Sequence, residues 1–258
     1  MAMYDNDRTV RVSFDLNYIS EYLLQAQWSE FVELKKVIHE IYERQGRPVT
    51  ILDIGIGNAR IAKHLCGIKD IWEKVAQYDG TDNAMACVNI SNEVITQLGI
   101  ADKVSVYFVD AKDLDRWEKK YDMVITTWFT AGNFYPDDFP FDTYMDDGKR
   151  LDLSSNKKFT TIMYNAYNLL LPGGEVVIGA CYKDNEATRL KQEESYQKMG
   201  MKVITDPVDS FTATLENFWS QRFTKEKLYK YLNFVEPSNI IFTSLDTYNY
   251  AMQVRIRK

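Results

Sequence analysis

Asp53, Asp82 and Asp110 stand at the ends of three successive apolar runs, and the first is followed closely by Gly55 and Gly57. Glycines at that spacing let a backbone turn sharply and approach a ligand with no Cβ in the way, at the start of a helix. An acid at the end of a second run can accept both hydroxyls of a ribose, although Asp equally caps a following helix. Asp110-Ala111 suits a base amino group together with a backbone N–H. A fourth run ends in Thr126-Thr127-Trp128-Phe129. Taken alone, the glycine pair is also compatible with an ordinary tight strand–helix turn.

The elements that must position these residues follow from periodicity. Leu34, Val37, Ile38, Ile41 and Tyr42 recur at helical spacing, so residues 15–45 read as one or two amphipathic helices stopped by Gly46 and Pro48. Short β-rich runs then alternate with helical ones. Strands are expected at 49–55, 75–81, 103–109, 121–128 and 175–182, with helices at 58–68, 83–98 and 156–171. Such alternation implies a parallel sheet with helices on both faces. A helix at 224–233 and two strand-like runs, 240–248 and 250–258, follow. The two runs are too close for a crossover helix and must pair antiparallel. Residues 130–155 and 184–223 break the rhythm and emerge where open α/β sheets bind ligands. With residues 1–48 they are expected to form a cap over a domain spanning 49–258.

Composition excludes several classes. A chain of 258 residues with 45% hydrophobic content is long enough to bury a core of its own. Its net charge of −6 argues against a nucleic-acid partner. No stretch has the unbroken apolar length of a membrane span, and the polar start MAMYDNDRTV is unlike a signal peptide. Cys66, Cys87 and Cys181 are odd in number and set in apolar contexts, so the expectation is free thiols in a cytoplasmic protein without a membrane partner. No feature sets an oligomeric state.

Several segments together resemble the class I S-adenosylmethionine-dependent methyltransferases over residues 49–258. ILDIGIGNA resembles their first motif, with Ala59 where a third glycine is commoner; YDGTDNA resembles the second and VYFVDAKDL the third. YDMVITTW, LLLPGGEVVIG and FWSQRFTKEKLYKYL resemble later elements of the family. The resemblance implies a Rossmann-like, seven-stranded, mostly parallel sheet with a C-terminal antiparallel hairpin. It implies S-adenosyl-L-methionine as cofactor, with S-adenosyl-L-homocysteine as product. Asp53, Gly55, Gly57 and Asn58 would then hold the aminoacyl end, Asp82 and Asn83 the ribose, and Asp110 and Ala111 the adenine. Thr127 would line the same site, and Tyr4 and Arg11 would cover the cofactor's carboxylate. NAD is disfavoured: its fingerprint wants a glycine where this chain has Arg60, and its acid nearer than Asp82.

The acceptor is expected to be a small molecule. The two histidines, His39 and His64, follow no strand at the ligand edge, which favours an acceptor that needs little deprotonation, such as a neutral amine or a thiolate, over a hydroxyl needing a base, although Asp, Lys or Tyr could serve as that base. Trp128, Phe129, Phe134, Tyr135 and Trp219 are candidates to stack on a ring or surround a cation, and Tyr18 and Tyr22 to close the site from above. TAGNF at 130–134 resembles a stretch of the histidine α-N-methyltransferases, which implies a substrate contact for Asn133 and a loose counterpart in Tyr196. Six aspartates, Asp137, Asp138, Asp142, Asp146, Asp147 and Asp152, read as a solvated face rather than Mg²⁺ ligands, because strand four ends in Thr127-Trp128 without an acid. The expected activity is methyl transfer to an amine nitrogen of an amino-acid-like or aromatic compound. The alternatives are an O- or S-methyltransferase of an aromatic metabolite, or a non-catalytic cofactor-binding module.

Overall fold

The computed structural model describes residues 14, 19–144 and 150–258. One helix, α1 (Glu21–Gln45), covers most of the expected N-terminal helical region; Gly46 ends it at φ 67°. Ala26, Phe31, Leu34, Val37, Ile38 and Ile41 form its buried stripe. Most of that stripe packs on the sheet, against Ile51, Met123, Ile125 and Val177. Helix α1 is therefore largely a layer of the main fold rather than a cap. Only its start, at Leu23 and Ala26, reaches the rings of Phe129, Tyr182 and Tyr250 at the ligand edge.

Five parallel strands follow: β1 (Val49–Ile54), β2 (Val75–Asp82), β3 (Val104–Phe108), β4 (Tyr121–Thr126) and β5 (Leu170–Lys183). They lie in the order β3-β2-β1-β4-β5. Successive residues of β1 serve opposite faces, Ile51 joining one core and Leu52 the other, as the pleat requires. Helices α2 (Arg60–Cys66) and α3 (Met85–Leu98) share the face of α1, and α4 (Lys157–Asn168) covers the other. Strand β5 starts earlier than expected, running through Pro172-Gly173-Gly174. A register shift against β4 absorbs the extra residues.

Residues 184–223 hold the charged helical stretch that the sequence predicts there and, beyond it, two strands that it does not. Helix α5 (Glu186–Lys198) precedes two short antiparallel strands, β6 (Phe211–Ala213) and β7 (Trp219–Phe223). Strand β7 pairs in parallel with the tip of β5, Tyr182 opposite Arg222. After α6 (Lys225–Tyr231), β8 (Ile240–Ser244) and β9 (Ala251–Arg257) form the closing hairpin, with β9 antiparallel to β5. The seven expected strands thus lie as β3-β2-β1-β4-β5-β9-β8, and β6 and β7 are an addition. Every residue of β7 is buried, including Ser220, Gln221 and Arg222, so the alternation that marks a strand in sequence is missing. No helix among the described residues is long and apolar enough to cross a membrane.

Candidate functional site

A cleft enclosing about 1190 Å³, its open mouth included, lies across the carboxyl ends of β1 to β4. Its floor is the turn after β1. Gly55 and Gly57 sit at φ 77° and 61°, where only glycine is free of strain. A Cβ on Gly57 would come within 2.9 Å of the Phe14 ring, which lines the same cleft. Ala59, in place of a third glycine, takes a glycine-like φ of 56°. The turn is fastened on both sides: Gly57 N–H donates to Asp82 Oδ2 at 3.0 Å, and its carbonyl accepts from the Ser91 hydroxyl at 2.7 Å.

Asp82, at the end of β2, also accepts from Ala84 N–H at 3.0 Å. Burial pushes its carboxyl above the ordinary range, against the pull of the N–H groups of Ala84, Gly57 and Asn83. Each carboxylate oxygen keeps a further lone pair for a ligand. Asp53 is buried deeper. Its Oδ2 accepts from the Tyr78 hydroxyl at 2.6 Å, while Oδ1 has no partner. Burial pushes this carboxyl up to about 7, opposed by the Tyr78 hydrogen bond and by Arg60. After β3, Asp110 Oδ1 accepts from Lys112 N–H at 3.0 Å.

Gly55, Gly57, Asn58, Asp82, Asn83, Asp110, Ala111, Thr127, Trp128, Asn133, Phe134 and Tyr135 all line this one cleft. Asp53 is buried and does not itself line it. Three of the expected acceptor contacts do not line it. Phe129 is stacked on Tyr182 at 3.8 Å between centroids, packed under the start of α1. Trp219 is fully buried against Phe211 in the cap's own core, at 3.8 Å. Tyr196 is buried beside Phe218. Trp219 is drawn into the small core that the cap buries for itself, and Phe129 into the packing between the start of α1 and the sheet. Tyr22 also lies off the cleft, edge-on to Tyr248 with Lys191 over its face. Tyr4, Arg11 and Tyr18 lie outside the described residues.

Neither histidine lines the cleft. His39 is exposed, 3.8 Å from Glu43, and His64 packs against Phe31. The Cys87 thiol lines it, but burial pushes that thiol up to about 12, far from a reactive thiolate. Among the described residues, no group of three His, Cys, Asp or Glu is placed to hold a metal ion. The segment 130–134 is held from behind: Asn156 Nδ2 donates to Phe134 O at 2.9 Å and to Gln221 Oε1 at 3.0 Å. Gln221 in turn donates to Tyr231, whose hydroxyl donates to Leu153 O.

Glu30, which backs the cleft, and Lys158, which lines it, carry no expectation from sequence, as do Phe14 and Thr130 of the lining. Glu30 of α1 is fully buried, and its carboxylate takes Arg60 Nη2 at 2.5 Å and Trp128 N–H at 2.9 Å. Lys158, at the start of α4, lines the cleft over the Tyr135 ring and is paired with Asp137 at 2.6 Å. A signal for Glu30 was available: it is an acid four residues from both Ala26 and Leu34, inside an apolar stripe.

No protein-family model and no curated protein matches the chain. Solved structures do. The CcbJ methyltransferase from Streptomyces caelestis aligns over 99% of this chain and 98% of its own, at TM-score 0.62 and 12% identity. An S-adenosylmethionine-dependent methyltransferase from Clostridium acetobutylicum aligns over 97% and 95%, at 0.55 and 11%. The 1,6-didemethyltoxoflavin-N1-methyltransferase from Burkholderia thailandensis, solved with that compound and S-adenosylhomocysteine, aligns over 100% and 91%, at 0.51 and 13%. The likeness is one of fold: this chain has the Rossmann-like architecture of the class I S-adenosylmethionine-dependent methyltransferases.

Proposed function

We propose that the chain is an S-adenosylmethionine-dependent methyltransferase acting on a small-molecule acceptor, with an amine nitrogen as the methylated atom. The observation that carries this reading is the hydrogen bond from Gly57 N–H to Asp82 Oδ2, with Asp110 at the next strand end of the same cleft. That arrangement suits a ribose on Asp82 and a base on Asp110-Ala111, above a turn stripped of side chains. The partnerless Oδ1 of buried Asp53 suits the ammonium of an aminoacyl group. The donor set therefore fits the cofactor. When bound, S-adenosylmethionine supplies an electrophilic methyl group on a sulfonium, for in-line displacement.

The protein's own part is positioning and water exclusion. The Phe14 ring stands over the glycine turn, and the Asn156–Gln221 network holds the 130–134 segment as one wall. Asn133 and the rings of Trp128 and Tyr135 bound the remaining space and are assigned to the acceptor. The absence of either histidine from the lining supports an acceptor already carrying a free lone pair, as a neutral amine does.

The test is calorimetric titration with S-adenosylhomocysteine, followed by incubation of labelled S-adenosylmethionine with a panel of amines, phenols and thiols. Binding and labelled amines are the expected result. Label on phenols or thiols alone overturns the nitrogen assignment, and binding without any product makes the chain a cofactor-binding module. No binding removes the cofactor reading.

A further inference from the structure

We propose that Arg60 is the receptor for the α-carboxylate at the aminoacyl end of the cofactor, held in place by Glu30 and the indole of Trp128. The inference rests on the cofactor reading above and adds a residue to it. Arg60 opens α2 immediately beyond the glycine turn, and its side chain lines the cleft. Two contacts fix the guanidinium, and a third ties its partners together. Its Nη2 donates to Glu30 Oε2 at 2.5 Å, its Cζ lies 5.2 Å from the Trp128 ring centroid, and Glu30 Oε1 accepts from the Trp128 backbone N–H at 2.9 Å. Glu30 and Arg60 thus clamp the turn after β4, where Trp128 and Phe129 both adopt left-handed φ, 53° and 62°. Side chains take up that conformation only when their surroundings impose it.

One nitrogen is left over. Arg60 Nη1 is shielded from solvent and has no hydrogen-bond partner. Asp53 Oδ1 is in the same condition, and the two charges lie near enough for Arg60 to favour the ionised Asp53. One group ends β1, the other begins α2, and the Gly55–Gly57 turn runs between them. An unpaired donor and an unpaired acceptor at the two ends of one turn match an amino acid's paired carboxylate and ammonium. Arginine suits the task because its planar fork can bind Glu30 through one nitrogen and a second carboxylate through the other. A lysine has no such second arm.

The experiment compares three probes by calorimetry: S-adenosylhomocysteine, its carboxamide, and 5′-methylthioadenosine, which lacks the aminoacyl end. The wild type should prefer the acid to the amide by about tenfold or more. In Arg60→Met the acid and amide should bind alike, with 5′-methylthioadenosine unaffected. Retention of the acid-over-amide preference in Arg60→Met overturns the proposal, as does a wild type that binds acid and amide equally. Arg60→Lys guards against a folding defect. It keeps a charge for Glu30 but lacks the fork, and its acid preference should fall by about fivefold; an undiminished preference there also overturns the proposal. A wild type that binds none of the three probes removes the cofactor reading itself.

Discussion

Glu30 and Gly179 share one space. A Cβ at position 179 would lie 2.4 Å from Glu30 Oε1, so the acid of α1 reaches the Trp128 turn only because β5 has no side chain there. Gly179 has no left-handed φ, and the requirement is one of room rather than of backbone conformation.

Gly179→Ala should therefore cost about 2–4 kcal/mol, from overpacking and from prising a buried carboxylate off its partners. Urea denaturation measures it. In a Glu30→Ala background the same change should cost less than about 0.5 kcal/mol, because the clash is gone. Equal costs in the two backgrounds would break the link between the residues.

Asp53 predicts a pH effect of definite sign. Its carboxyl sits at about 7 in the folded chain, against roughly 3.9 when unfolded. Between those values the folded state keeps a proton that the unfolded state has shed, so this residue's contribution to stability falls as pH rises. Asp53→Asn should flatten the stability–pH profile from about pH 4 to 7 relative to the wild type. An aminoacyl ammonium against Asp53 favours its ionised form. Titration of S-adenosylhomocysteine near pH 7 should then release a proton, seen as a heat that varies with buffer ionisation enthalpy, and Asp53→Asn should abolish that variation.

Asp82 accepts from Gly57 N–H and from Ala84 N–H at the approach to α3, so it organises the turn, and it lines the cleft where the ribose is proposed to sit. Asp82→Ala should weaken S-adenosylhomocysteine binding by roughly 2–3 kcal/mol through loss of charge-assisted contacts. It should also lower thermal stability. Asp82→Asn, able to retain one backbone acceptor, should recover most of the stability and little of the affinity. Unchanged calorimetric affinity in both variants would remove the ribose assignment.

What sequence revealed follows a physical divide. The glycine turn and the acids at 53, 82 and 110 were legible because they sit at ends of parallel strands, where apolar runs stop abruptly and backbone geometry dictates residue type. Glu30, Arg60 and Gly179 form their site only in three dimensions, from α1, α2 and β5, and no local pattern joins them. Aromatic residues misled for a related reason. Trp219, Phe129 and Tyr196 have the composition of a ligand cage, but burial decides their place: Trp219 went to the cap's own core, Phe129 to the packing under the start of α1, and Tyr196 beside Phe218. Strand β7 was hidden because Ser220, Gln221 and Arg222 are polar yet buried, each serving contacts from other elements.

Arg222 tests whether that polar strand holds the cap. Its side chain is 1% exposed. Nη1 donates to Gln192 Oε1 and Thr212 Oγ1, both at 2.7 Å, Nη2 donates to Asp209 O, and Nε lies 3.4 Å from Asp184 Oδ1. One guanidinium thereby ties β7 to α5, to β6 and to the chain leaving β5. Arg222→Met would leave those acceptors buried without a donor, at a cost of about 3–5 kcal/mol. None of residues 184–223 lines the cleft, so S-adenosylhomocysteine affinity should survive. The 130–133 wall should not, because Gly132 packs directly on the Gln221 backbone: a Cβ there would lie 3.1 Å from Gln221 O. Limited proteolysis should open 184–223 first, and methyl transfer should fall while cofactor binding holds. Loss of cofactor affinity in step with proteolysis would show instead that cap and sheet unfold as one unit.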